Sequence, residues 1–321
     1  MAMKMQMPLI GRRRPGAAAD VAAPPFPEGA RMVFGIGAQK AGTTWLHSYL
    51  SRAPEMHFSP NKELHYFDVR AGHGALTLTN RIDVLHRLAD RLDPASGHLD
   101  LGTVERINAL TALMRIHAGA PGDPGDPSRH DAYLDYLTRG RTDQRLIGDI
   151  TPAYAVLDRT QFADMASIGE ARFVFVMRDP VARMWSQIRM AAVAQDGAGT
   201  SSEALSAACR ARLDHLEGTG RLPRVERADY LRTMRELEAA VPAGRILYVF
   251  FEDLFEGGAT RQICDFLGIA HIPPGEVPKA NEGAHLDLPA DVETRLRRAF
   301  ARQYDGIRAR FGDRVPACWR A

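Results

Sequence analysis

The stretch that most constrains the fold is Arg31 to Leu50, "RMVFGIGAQKAGTTWLHSYL". An apolar run ends in glycines, and Leu46, Tyr49 and Leu50 then recur at helical spacing, so strand, loop and helix follow one another directly. A loop that leaves a strand and enters a helix aims several backbone N–H groups at one spot, where the helix dipole adds partial positive charge. Gly37 and Gly42 permit the tight backbone of such a loop, Lys40 brings a mobile cation, and the Thr43 and Thr44 hydroxyls can donate to the same anion. Two familiar phosphate loops are nevertheless missed. In G-x-x-x-x-G-K-[ST] the lysine follows the second glycine, where this chain has Thr43. In G-x-G-x-x-G the third glycine falls on Lys40. The loop therefore suits one phosphate group and lacks the parts that hold a magnesium-bound triphosphate. A glycine turn that binds nothing is the alternative.

Two more runs repeat the order. In "RFVFVMRDPVARMWSQIRMAAV", Phe173 to Met177 reads as a buried strand and Pro180 suits the first turn of a helix. "RILYVFFEDL", from Arg245, is a third strand, followed by a helical pattern through Phe266. Strands separated by helices predict an α/β fold with a parallel sheet covered by helices. Between the first two units, "RIDVLHRLAD" and "TVERINALTALMRI" are helical, and a helical insertion is expected over about 70–143 within a single domain, 31–321. Residues 1–30 read as a flexible tail. Near the C-terminus Leu288, Val292, Leu296, Phe300, Tyr304, Ile307 and Phe311 form an apolar stripe, expected along one helix that starts near Pro289 and packs on the core.

Composition excludes some partners. Lys and Arg number 41 against 39 Asp and Glu, and a formal charge of +2 is not the basic surface of a nucleic-acid binder. Cys209, Cys264 and Cys318 are odd in number and far apart, which argues against a disulfide framework or a zinc site and for reduced thiols in a cytoplasmic protein. No apolar run is long enough to span a bilayer.

The string "QKAGTTWL" resembles the 5′-phosphosulfate loop of sulfotransferases, enzymes that use 3′-phosphoadenosine 5′-phosphosulfate (PAPS) as donor. The resemblance implies a three-layer fold like that of P-loop nucleoside triphosphate hydrolases, with no metal. It places Lys40 on the 5′-phosphate and bridging oxygen, and Ala41, Gly42, Thr43 and Thr44 on the phosphate. Trp45 matches a tryptophan that packs on adenine, and is otherwise a core aromatic. Arg178, at a strand end, and Ser186, eight residues on, resemble the family's 3′-phosphate motif; a guanidinium holds phosphate through two parallel bonds. Asp179 is expected to cap the following helix. Arg183 reads equally as a ligand contact or a solvated helix residue.

Sulfuryl transfer to an alcohol needs a base and positive groups near the donor. "SPNKELHYFD" gathers Lys62, Glu63, His65 and Asp68, and resembles the K-E-x-x-x-F-[DF] segment of carbohydrate sulfotransferases. Carried over, Glu63 is the base and Lys62 lies beside the transferring group. His65 competes, since its ordinary pKa suits neutral pH; in an extended segment the two point to one side. A charged surface loop is the plain alternative. "GDITPAY" resembles a segment near the family's acceptor site, where Thr151 and Tyr154 either touch substrate or shape the turn at Pro152, and Asp149 replaces a glutamate. A late basic loop of the family has only Lys279, Asn281 and Gly283 as counterparts in "VPKANEGAHLDLP". The expected acceptor is a small molecule or a carbohydrate. A related metal-dependent kinase and a noncatalytic donor-binding protein are the alternatives.

Overall fold

The computed structural model describes residues 26–92, 100–118, 130–196, 201–222, 225–255, 258–274 and 286–320. Five strands form one sheet: β1 (Arg31–Gly37), β2 (Met56–Phe58), β3 (Leu146–Ile150), β4 (Arg172–Met177) and β5 (Ile246–Phe250). All pairs are parallel, in the order β2-β3-β1-β4-β5. β1 is central and buried from Met32 to Gly37, which is why its sequence is continuously apolar rather than alternating. Phe34 on β1 stacks on Phe173 of β4 and meets Phe67 and Tyr154 edge-on, anchoring the core.

From β1 the chain enters α1 (Thr43–Leu50) and crosses to β2 on one edge. From β4 it enters α7 (Pro180–Asp196) and proceeds to β5 on the other. The loops after neighbouring strands β1 and β4 therefore leave in opposite directions, and a crevice opens at the carboxyl ends of the strands where such reversals occur. The two anion motifs expected from sequence flank this point.

Between β2 and β3 lie α2 (Tyr66–Arg70), α3 (Ala75–Ala89), α4 (Leu101–Ala118) and α5 (Asp131–Thr138). Beyond them come α6 (Arg159–Ala166), α8 (Ser202–Gly218), α9 (Tyr230–Glu238) and α10 (Gly258–Leu267). The C-terminal stripe is buried as expected from Val292 to Phe311, but on two helices rather than one: α11 (Ala290–Ala299) and α12 (Ala301–Phe311). The chain bends at buried Phe300, whose ψ of 13° leaves the helical range. The bend lets α11 pack on α7 while Tyr304 of α12 donates to Asp179 Oδ2 at 2.8 Å. No helix among the described residues is long and apolar enough to cross a membrane.

Gly148 on β3 sits against the Phe58 ring of β2, where an added Cβ would lie 2.2 Å from Phe58 Cε1. Gly148→Ala is expected to destabilise by about 1–3 kcal/mol through overpacking. Gly244→Ala, with nothing within 4 Å of its Cβ, is the control. Equal thermal midpoints for the two variants would contradict this packing.

Candidate functional site

The turn after β1 carries Lys40 in the left-handed region, at φ 68°, and ends on Gly42 at φ 79°. A Cβ on Gly42 would lie 2.7 Å from the Phe251 ring, so glycine is required there for both reasons. Gly42 leads into α1, whose first turn has no acidic residue and whose N-cap makes no side-chain bond, leaving its early amides to another acceptor. Thr43 is buried at the start of this helix and Thr44 half-buried beside it. Trp45 is buried, stacked on Tyr49 at 5.0 Å and edge-on to Phe255 at 5.4 Å.

Arg178 leaves the end of β4 and crosses to this loop, where its Nη1 donates to the Lys40 carbonyl at 3.0 Å. Its guanidinium lies 4.6 Å over the Phe251 ring, and its own carbonyl accepts from Tyr230 Oη at 2.8 Å. Asp179 caps α7, accepting from Ala182 N at 2.8 Å, as its position predicts. The Lys40 amine touches Met190 Sδ at 3.8 Å, one turn beyond Ser186 on α7, so Ser186 shares the helix face turned to the loop. Burial, then the charges of Arg178 and Arg189, lower the Lys40 pKa, while Glu63 raises it.

Arg183 is not the solvated helix residue that remained open from sequence: it is fully buried. Its Nη1 donates to Gln187 Oε1 at 2.8 Å and reaches the Gln39 carbonyl of the loop at 3.5 Å, and its Nε has no partner among the described residues. No carboxylate pairs with Lys40, Arg178 or Arg183 among the described residues. Burial and the neighbouring arginines depress the Arg183 pKa. Three cations thus converge on one loop with no carboxylate in ion-pair contact among the described residues, Glu63 and Glu252 acting on Lys40 and Arg178 only from further off, an arrangement that favours a bound anion.

The segment Lys62 to Asp68 is not extended. Glu63 and His65 both adopt left-handed backbone, at φ 61° and 56°, and with Lys40 they make up three of the four described non-glycine residues in that region. Strained backbone of this kind persists where the surroundings over-determine it, and it clusters at working sites. The side chains still meet: Lys62 Nζ bonds Glu63 Oε1, and His65 Nε2 lies 3.6 Å from Glu63 Oε2. His65 Nδ1 faces Oδ2 of buried Asp68 at 2.8 Å. Burial pushes the Glu63 carboxyl up, but the contacts with His65 and Lys62 outweigh it and hold the pKa at about 2. Burial lowers His65, but its two carboxylates outweigh that and raise its pKa to about 9. His47, on α1, is lowered to about 4 by burial and by Lys62, against the pull of Glu63. An ionised carboxylate therefore stands between two cations, with a neutral imidazole nearby.

Two supports of this segment escape the sequence. Buried Asp149 accepts hydroxyls from Tyr133, Thr151 and Tyr154 at 2.9, 2.7 and 2.7 Å, and Tyr154 Oη in turn accepts the Tyr66 amide at the start of α2. Thr151 and Tyr154 are fully buried and shape the turn. From α3, Arg81 Nη2 donates to the Glu63 and Leu64 carbonyls at 3.1 Å each, and Nη1 bonds His117 Nε2 at 2.8 Å. These partners lie 17 to 88 residues away in sequence, too far for any local pattern to announce. Lys279, Asn281 and Gly283 lie outside the described residues. No cluster of three metal-ligating side chains occurs among the described residues.

The raised pKa of His65 has a stability signature. A group raised in the folded state stabilises fully below its ordinary pKa of 6.5, and that contribution disappears as pH rises through about 9. The stability lost in His65→Gln is expected to be about 2 kcal/mol at pH 6 and to shrink towards pH 10. Denaturant unfolding across that range checks it; a difference independent of pH would contradict the ion-pair geometry.

A sequence profile described as "Sulfotransferase family" matches residues 32–273. No curated protein matches the chain. A sulfotransferase from Alicyclobacillus acidocaldarius superposes with a TM-score of 0.57 at 19% identity, covering 93% of this chain and 100% of that one. The sulfotransferase domain of a Synechococcus olefin synthase gives 0.40 at 19% identity, covering 85% and 94%. A sheet with this strand order, a strand-to-helix anion loop at its centre and a profile match over most of the length lead to one conclusion: the chain belongs to the sulfotransferase family.

Proposed function

We propose that this protein transfers a sulfuryl group from PAPS to an acceptor hydroxyl of a small molecule or carbohydrate, with Glu63 as general base, in the cytoplasm. One observation carries the reading: Lys40 lies between Arg178, which bonds its carbonyl, and Glu63, whose charge it senses, at the point where strand order reverses. In this reading the 5′-phosphate sits on the early amides of α1 with Gly42, Thr43 and Thr44, and the 3′-phosphate is held by Arg178 and Ser186. Lys40 faces the bridging oxygen, where charge develops as the sulfur–oxygen bond breaks.

The proton moves from the acceptor hydroxyl to Glu63 as its oxygen attacks sulfur. In the protein alone His65 and Lys62 together hold Glu63 a weak base, and Lys62 is the partner that also neighbours the transferring group in this reading. Turning Lys62 to the sulfuryl oxygens would remove its bond to Glu63 and raise the carboxyl's affinity for a proton. His65 is an imidazolium at neutral pH and has no lone pair to offer, which favours Glu63 as acceptor of the proton. Asp68 fixes His65 through Nδ1, so that its Nε2 side orients the Glu63 carboxylate.

Calorimetric titration with adenosine 3′,5′-bisphosphate, ADP and ATP, each with and without magnesium, tests the donor site. Metal-independent binding of the 3′,5′-bisphosphate alone is expected. Preference for ATP with magnesium would replace this reading with a kinase of related fold. Arg183→Met is expected to weaken bisphosphate binding about tenfold, or about 1.4 kcal/mol, since it removes a buried cation behind the loop; unchanged affinity would deny it that role. Glu63→Gln is expected to lower transfer by roughly 10²–10⁴-fold across an acceptor panel while bisphosphate affinity stays within about twofold. Retained turnover would move the base to another group.

A further inference from the structure

The packed pair α3 and α4 leaves a groove of about 400 Å³ between its helices. Val84, Leu88, Ala109 and Leu110 give it apolar lining, and three arginines border it: Arg87 on α3, Arg91 just after it and Arg106 on α4. No carboxylate lines the groove among the described residues. Its inner end is Asn61, two residues before Glu63, which places the two within about 7 Å along the chain.

The surface arginines of this protein are of two kinds. Arg210, Arg295, Arg297 and Arg310 each pair with a carboxylate. Arg87, Arg91 and Arg106 are exposed and have no ion pair among the described residues, although Asp83, Asp90 and Glu105 stand on the same two helices. Asp100 senses Arg106 only as a minor influence. The three arginines line the groove while the carboxylates of Asp83, Asp90, Asp100 and Glu105 lie outside its lining. The pair also carries four of the six exposed large apolar residues, Leu76, Ile82, Val84 and Leu101. Apolar walls with a few convergent charged groups, in a volume of a few hundred Å³, are the features of a small-molecule site. A guanidinium presents paired donors that match carboxylate, phosphate and sulfate oxygens.

We infer that this groove seats the acceptor, and that the acceptor is a small amphiphile: an apolar body ending in an acidic group held by Arg87, Arg91 and Arg106, its hydroxyl directed past Asn61 to Glu63. The inference rests on the sulfotransfer reading and names its acceptor class. The helix that lines the groove is also the one whose Arg81 holds the Glu63 and Leu64 carbonyls. An acceptor on α3 therefore bears on the segment that carries the base.

The test uses the full chain saturated with adenosine 3′,5′-bisphosphate and titrates it calorimetrically with ω-hydroxydecanoate, ω-hydroxydecyl phosphate and the neutral decanediol. At least one acid is expected to bind ten times more tightly than the diol, and the two acids distinguish carboxylate from phosphate. In the triple variant Arg87→Glu, Arg91→Glu, Arg106→Glu that preference is expected to vanish, with bisphosphate affinity unchanged. Acids that bind no better than the diol, that do not bind at all, or that keep their advantage in the triple variant would each overturn the inference. If the wild-type chain binds the bisphosphate and these results fail, only the groove's role falls. Failure to bind the bisphosphate removes the underlying reading and this inference with it.

Discussion

The bond from Arg178 to the Lys40 carbonyl ties the two halves of the sheet together at the place where they diverge. β1 and β4 are neighbours, but their loops run to opposite edges, and nothing in the strand pairing fixes one loop against the other. A guanidinium supplies that link because it can donate to backbone from one nitrogen and keep others for a ligand. The ring of Phe251, beneath Arg178 and against Gly42, completes the joint from β5's side. Loops from three adjacent strands thus share one contact surface, which Lys40, Gly42, Arg178 and Phe251 form.

The second half of the site depends on a different kind of support. Glu63 and His65 occupy left-handed backbone that costs energy for residues with side chains, and the cost is met by bonds from outside the segment. Arg81 ties two carbonyls from above, and Tyr154, itself held on Asp149, accepts the amide that follows His65. The pKa values follow from this rigidity: the Glu63 carboxylate and the His65 imidazolium are held in contact, so each is displaced from its ordinary range by its neighbours against the effect of burial.

Three of the five strands, β1, β4 and β5, were legible because each is an apolar run followed by helical spacing; β2 and β3 were not, since one has three residues and the other carries Gly148 and Asp149 within five. The turn from β1 into α1 was legible because its glycines stand between an apolar run and helical spacing. The cluster Lys62, Glu63, His65 and Asp68 was legible as a composition, but its conformation was not: an extended segment suggested same-side side chains, whereas two left-handed residues and a helix start bring them together. Arg183 shows the limit most clearly. Its spacing on α7 fits solvent and core equally, and only the packing of the loop above it decides for burial. Arg81 and His117 act through partners remote in sequence, and Asp149 reaches the Glu63 segment through Tyr154, 88 residues from the Tyr66 amide it accepts, which periodicity cannot connect. The C-terminal stripe ran unbroken through Phe300 because side-chain spacing survives a bend that backbone angles do not.

Burying Arg183 without a carboxylate has a consequence for the life of the protein outside the reaction. An unpaired buried charge lowers the margin by which a domain stays folded, and that margin is normally a few kcal/mol. A polyanionic nucleotide bound at this loop would act as its counter-ion, and a ligand at a hundred times its dissociation constant adds about 2.7 kcal/mol to folding stability. Resistance to proteolysis, and with it steady-state abundance, would then follow the supply of that nucleotide. The same arginine would make the chain's turnover a reporter of how much donor is at hand.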